Sequence, residues 1–250
     1  MGRGAVHIAW MGDDVAILTL DNPQARNAMS IPMMQQLHIH VQEICLKKPI
    51  AVILTALGEE AFCAGGDLHD VRAHLMHKEE AQKMNQNMSR ILSSFALHNI
   101  FVFVALNGLA LGGGAELTTY GNMVIAEPHS YIAFVHAKLG VSPGWGGGMG
   151  LVQKVGTHRA RQILVSAQRI LPEQALAWGL IDQIVDKGCA LDTAKAQAQK
   201  IAQYPKGAVQ AVQEFSLHPT AVHESEIFLS LWGEEAHRHA LGMTTALSKK

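Results

Sequence analysis

The stretch Asn107-Gly-Leu-Ala-Leu-Gly-Gly-Gly-Ala-Glu116 decides how this chain is read. An apolar run from Ile100 to Leu106 leads into it and predicts a buried strand. Gly112, Gly113 and Gly114 interrupt the pattern before Ala115 to Thr119 resumes as a helix. Glycine at a strand-to-helix turn lets a ligand approach the main chain closely. The first turn of a helix leaves amide N–H groups without partners and carries partial positive charge, which suits an oxygen bearing negative charge. Glu116 stands one short turn inside that helix, so a carboxylate and an anion-binding amide become neighbours. The same spacing also fits a plain tight turn followed by a solvated glutamate.

Composition narrows the possibilities. A chain of 250 residues can build one sizeable core, or a core with a small appended domain. Lys+Arg of 20 against Asp+Glu of 21 leaves a formal charge of −1, without the basic field that nucleic acid requires. Hydrophobic content reaches 48%, yet no unbroken apolar run attains the roughly 20 residues of a membrane span. Met1-Gly-Arg-Gly-Ala-Val-His7 has no apolar segment of the secretory kind, so the expected location is cytoplasmic. Cys45, Cys63 and Cys189 are scattered and odd in number, which points to reduced thiols. They lack zinc-ligand spacing, and no His-Glu-x-x-His occurs among the 14 histidines, so no metal is expected.

Outward from the glycine turn, Val6 to Trp10 and Val15 to Leu20 predict a hairpin, closed by Asp21-Asn22-Pro23. Ser30 can cap a helix from Ile31 to about Leu46, and Ile50 to Leu57 reads as a strand buried on both faces. Glu60-Ala-Phe-Cys-Ala-Gly-Gly-Asp67 is a second small-residue turn where backbone could meet a ligand. Glu79 to Leu97 has helical spacing, Asn122 to Ala126 and Tyr131 to Phe134 read as strands, and His136 to Gly148 reads as a loop. Helices are expected at 149–155 and 159–166, then a capped helix and a short strand between Leu171 and Val185. From Ala190 onward the pattern is helical, broken at Tyr204 to Gly207 and at His218-Pro219. Strands alternating with helices and then a run of helices predict an α/β fold with a C-terminal helical appendage, divided as 1–189 and 190–250.

Five motifs in this order resemble the crotonase (enoyl-CoA hydratase/isomerase) superfamily. They are Asp21-Asn22-Pro23 with Asn27-Ala28; Ala61 to Asp67; Asn107-Gly108 through Glu116; Leu139-Gly140 through Gly147; and Ala175 through Ile181. The resemblance implies a crotonase-type spiral of ββα units with a C-terminal helical trimerisation region. It also implies an acyl-CoA thioester as substrate, no separate cofactor, and assembly as a homotrimer or a dimer of trimers.

By the same resemblance the backbone amides of Gly66 and Gly113 would hold the thioester oxygen as an enolate forms. Glu116 matches the first of two glutamates that serve the family's hydratases. The second position is His136 here, a departure that weakens the case for plain hydration; imidazole can act as acid or base, or bind a carboxylate. For coenzyme A, the resemblance points to Ala64 with Ala25 and Arg26 beside it, to Leu68, and to Trp145 as a wall of the acyl pocket. Lys249 and Lys250 could reach a neighbouring subunit's nucleotide.

Phe134-Val-His136, the Trp145-Gly-Gly loop and Leu231-Trp232-Gly233 resemble the ethylmalonyl-CoA decarboxylase-like branch. The leading expectation is therefore a lyase that decarboxylates a small alkylmalonyl-CoA. The alternatives are a hydratase or isomerase of short 2-enoyl-CoA thioesters, and a non-catalytic acyl-CoA-binding member. A dinucleotide-binding fold is disfavoured because no full Gly-x-Gly-x-x-Gly opens a first βαβ unit. A serine hydrolase is disfavoured because no Gly-x-Ser-x-Gly occurs.

Overall fold

The structure is a computed structural model and describes residues 4–217 and 219–243. Strands β1 (Ala5–Met11) and β2 (Val15–Asp21) form the expected antiparallel hairpin. Helix α1 (Ile31–Lys47) begins where Ser30 accepts the Met33 amide, with proline in its first turn. It buries Met33, Met34, Leu37, Val41 and Ile44. Strand β3 (Ala51–Ala56) is buried at every position, as a strand covered on both faces must be.

From there the chain climbs in repeating turns. Each turn gives one strand to a large sheet and one to a small sheet, then a helix. The turns comprise β3 with β4 (Ala61–Cys63) and helices α2 (Leu68–His74) and α3 (Lys78–Leu97); then β5 (Phe101–Leu106) with β6 (Leu109–Leu111) and α4 (Gly113–Thr119). The third comprises β7 (Met123–Ala126) with β8 (Tyr131–Ala133), followed by α5 (Gly147–Ser166), α6 (Pro172–Ala177) and β9 (Gln183–Ile184). The large sheet has the order β1-β2-β3-β5-β7-β9, parallel after the hairpin; the small one is β4-β6-β8, parallel throughout. This is the spiral of ββα units expected from the motifs.

Local differences have physical causes. Strands β4 and β6 leave no strand signal in the sequence because three residues are too few to display an alternating pattern. Helix α4 starts at Gly113, two residues before Ala115, because Gly112 takes the turn at φ +52°. The loop expected over His136 to Gly148 is shorter at both ends. Val135–Leu139 forms a 3-10 turn, and α5 opens at Gly147. Within α5 the chain breaks at Gly156, whose φ/ψ of +75°/160° is not helical, so the helices expected at 149–155 and 159–166 are its two halves.

One face of the large sheet meets the small sheet and the helices of the spiral, burying Leu18, Met33, Phe62, Met88, Val104 and Phe134. The other is covered by α7 (Ala190–Ile201), whose Ala190, Ala194 and Ala198 lie at helical spacing against Ile53, Phe103 and Ile125. Helices α8 (Lys206–Leu217), α9 (Ala221–Leu231) and α10 (Glu235–Ala240) contribute no buried residue. His218 and the lysines 249 and 250 lie outside the described residues.

Candidate active site

Two glycine turns meet at the edge of the small sheet. A parallel bridge joins Met29 to Gly66: the Met29 amide donates to Gly65 O at 2.7 Å, and the Asp67 amide donates to Met29 O at 3.0 Å. The Gly66 amide takes no part in that ladder. Across from it Gly113 is the first residue of α4, so its N–H precedes the helical hydrogen-bond series. The two turns touch: a methyl placed on Gly65 would lie 3.3 Å from the Gly113 nitrogen.

The Trp145 indole bridges the turns. A methyl on Gly113 would fall within 2.6 Å of the ring, and one on Gly66 would lie 3.9 Å from it. Trp145 is only 4% exposed. The ring is therefore packed against both α-carbons.

Glu116 is not the solvated glutamate of the plain-turn alternative; it is 1% exposed. Its Oε1 accepts the Gly144 amide at 3.0 Å and faces His136 Nε2 at 3.0 Å. Its Oε2 accepts the Trp145 amide at 2.8 Å and the Gly147 amide at 3.0 Å. Both oxygens are thus doubly engaged, mostly by main chain. Such a carboxylate holds the loop between the 3-10 turn and α5 by its backbone, and so sets the height of Trp145.

Neighbouring groups secure the same loop. Tyr120 Oη donates to Trp145 O at 2.6 Å, Thr119 Oγ1 donates to Gly147 O at 3.1 Å, and Asn85 Nδ2 donates to Gly144 O. Burial, reinforced by the charge of Glu116, pushes the Tyr120 phenol up to about 12, so it remains a donor. Gly147 permits the close approach of α5 to α4, since a methyl there would sit 2.5 Å from Glu116 Cα. Gly144-Trp-Gly-Gly-Gly148 stands out in the sequence, whereas Asn85, Thr119 and Tyr120 do not. Nothing in the local pattern links residues 85 and 120 to a loop at 144.

His136 is 8% exposed, and its ring is tilted at 6.3 Å from Phe134. Its Nε2 belongs to Glu116, while Nδ1 is buried with no hydrogen-bond partner. A methyl on Gly112 would lie 4.0 Å from Nε2, so the imidazole flanks the turn that carries the Gly113 amide.

The residues expected at coenzyme A form a second group beside the first. The Ala64 amide donates to Arg26 O at 2.9 Å, which joins the 25–26 and 64–66 segments. Arg26 has the left-handed φ of +53°, and its Nε meets Glu60 Oε1 at 2.8 Å on the surface. Leu68 opens α2 just after the Gly66 turn and is exposed. Gly66, Gly113, Glu116, His136 and Trp145 are therefore brought together, with Ala25, Arg26, Ala64 and Leu68 on the adjoining rim.

A parallel ββα spiral with two glycine turns facing each other, a buried Glu–His pair and a buried tryptophan between the turns define a class of α/β proteins. The sequence pattern of the Enoyl-CoA hydratase/isomerase family matches residues 11–228, and the chain belongs to that family of enzymes. It is 31% identical to an ethylmalonyl-CoA decarboxylase from Gallus gallus, across 95% of this chain and 83% of that protein. It is 30% identical to a short-chain-enoyl-CoA hydratase from Clostridium acetobutylicum, across 94% and 92%. An enoyl-CoA hydratase structure from Bacillus anthracis superposes with a TM-score of 0.88 at 25% identity, covering 95% of this chain and 94% of that one.

Proposed function

We propose that this enzyme decarboxylates a small alkylmalonyl-CoA thioester. The observation that carries the reading is the state of Glu116. Both its oxygens are occupied by three amide N–H groups and His136 Nε2. Hydration needs a carboxylate with a free lone pair to activate water, and this one has none to spare. The similarity to ethylmalonyl-CoA decarboxylases supports the same choice.

In this reading the Gly66 and Gly113 amides receive the thioester oxygen. As the bond to the substrate carboxylate breaks, its electron pair enters the carbonyl and CO₂ departs; a proton delivered to the α-carbon then returns the pair and completes the saturated thioester. One such donor is worth about 10²–10³ in rate. Trp145 forms a water-excluding wall where the carboxylate stands out of the thioester plane, which favours loss of its charge as CO₂. No separate cofactor is needed, because the enolate is supported by main chain. Ala25 and Ala64 meet the nucleotide end of coenzyme A, and Arg26 exchanges Glu60 for a phosphate.

The division at 189/190 serves assembly. α7 ties the C-terminal region to the sheet, while α9 and the turn after it expose Phe228 (54%) and Trp232 (61%), whose rings lie 5.0 Å apart. We assign that face to a second copy of the chain, within a trimer or a dimer of trimers. Among the described residues no helix is long and apolar enough to cross a membrane, and a cytoplasmic location fits this metabolic role.

The test is a panel of CoA thioesters followed by mass spectrometry. Methylmalonyl- or ethylmalonyl-CoA should yield CO₂ and the saturated thioester. If both are inert while crotonyl-CoA is rapidly hydrated, the decarboxylase reading is wrong and the hydratase relative is the better guide.

A further inference from the structure

We infer that Tyr120 determines specificity: by holding the Trp145 carbonyl it sets the position of the indole, and with it the size of the alkyl branch that the acyl site accepts. The inference rests on the proposed thioester site at Gly66 and Gly113. It deepens that reading by naming a residue, away from the reacting atoms, that selects among substrates.

Helix α4 turns one face to the loop. Glu116, Thr119 and the cap residue Tyr120 stand at i, i+3 and i+4, which a helix brings to the same side. Glu116 accepts the N–H groups of Gly144, Trp145 and Gly147. The carbonyls of the same three residues are held from the other side, by Asn85 at Gly144, Tyr120 at Trp145 and Thr119 at Gly147. At Trp145 the nitrogen lies 2.8 Å from Glu116 Oε2 and the oxygen 2.6 Å from Tyr120 Oη. A residue held by its N–H alone can turn about that bond and swing its side chain. Held at both groups, it cannot.

The phenol is itself seated. Ser89 of α3 hydrogen-bonds its oxygen, and because the phenol proton goes to Trp145 O, the serine is the donor. Gly146 has a left-handed φ of +86°, and a methyl there would collide with Tyr120 Oη and lie 2.9 Å from Ser89 Oγ. The glycine thus leaves free the space that the two hydroxyls occupy beside the loop.

The indole rests against the Gly66 and Gly113 α-carbons. An acyl group whose oxygen meets those two amides carries its branch past the ring. One methylene in an apolar pocket is worth about 10–200-fold in kcat/KM when the walls are fixed. Walls that give way forfeit that discrimination.

The test compares kcat/KM for methylmalonyl-, ethylmalonyl- and butylmalonyl-CoA in the parent and in Tyr120→Phe, which keeps the ring and removes the hydroxyl. The ratio of best to worst substrate should narrow by about tenfold or more in the variant, the worth of one methylene, chiefly through the KM of the poorest. Acrylamide should quench tryptophan emission more strongly in Tyr120→Phe than in the parent, and the excess should vanish when Trp145→Phe is added.

A purely structural phenol would lower all three substrates by one common factor. That result overturns the inference, as does a parent that turns over all three equally, or quenching unchanged by the variant. Should Tyr120→Phe not fold, Ser89→Ala removes the phenol's own donor and should narrow the ratio in the same direction; the parent's ratio in that variant overturns the inference. Failure of the decarboxylase reading looks different: inert alkylmalonyl thioesters beside hydrated crotonyl-CoA. The ratio is then read on crotonyl- and 2-decenoyl-CoA, with the same two outcomes.

Discussion

Gly113 carries two demands at once in this reading. Its amide serves the thioester oxygen, and its bare α-carbon leaves room for Trp145. Proline is tolerated in the first turn of a helix, where its missing N–H breaks no helical bond. Gly113→Pro brings a Cβ against the indole just as Gly113→Ala does, so it should lower CO₂ release by about 10²–10³ beyond the alanine variant, the worth of one such donor, with the far-ultraviolet dichroism little changed. Gly113→Ala keeps the amide but pushes the indole, so tryptophan emission should shift along with the rate. If both variants turn over at the parent rate, Gly113 has no part in the chemistry. Both glycine turns were legible in the sequence because glycine clusters announce themselves. The burial of Glu116 was not legible, because its partners are amides some thirty residues further on and amides leave no mark in side-chain identity. Arg26 was readable as a candidate cation, while its pairing with Glu60 depends on how two loops fold together.

At the level of elements, the contact between α4 and α5 governs the site. Gly147 and Gly150 sit where a methyl would meet Glu116 Cα and Thr119 Oγ1, at 2.5 and 2.7 Å. Forcing extra volume into a packed contact costs about 1–3 kcal/mol. Gly147→Ala should lower the melting temperature accordingly and release the loop, seen as faster proteolysis between residues 140 and 147. A melting curve identical to the parent's would mean that the helices have slack. The sequence announced the elements whose periodicity is long enough to read, such as α1, α3 and β5. It concealed β4 and β6, whose three residues carry no period. The break between two helices at Gly156 was legible, and in the fold that residue leaves helical geometry between the two halves of α5.

For the whole molecule, a buried thiol and a half-buried phenol set a limit at high pH. Burial pushes the Cys63 thiol up to about 12 from 9.0, and Tyr120 rises to about 12 from 10.0. Below pH 9 both groups hold their protons whether the chain is folded or not, so their contribution to stability is constant. Between pH 9 and 12 the unfolded thiol ionises while the folded one does not. Stability is then lost with rising pH, at about 1.4 kcal/mol per unit for the fully buried thiol. Urea midpoints taken from pH 8 to 11 should fall, and Cys63→Ala should flatten the fall. A flat profile in the parent would contradict this. The same scale holds the assembly prediction: Trp232→Ala should shift the mass found by light scattering towards the single chain. An unchanged mass would place the contact elsewhere. The alternating strands and helices made an α/β core legible from the sequence, and the spiral followed only from the resemblance of its motifs. The exposed aromatic face was not, because in sequence an apolar helix left exposed looks like one packed on its own core.

The grip of Glu116 on its loop has an evolutionary reach. The carboxylate grasps peptide nitrogens at 144, 145 and 147, and every amino acid except proline offers one. The anchor is indifferent to which side chain hangs at position 145. A descendant could trade the indole there for a smaller or more polar group, reshape the acyl cavity, and keep its scaffold intact. New chemistry in this lineage would then begin with a change of wallpaper and leave the masonry alone.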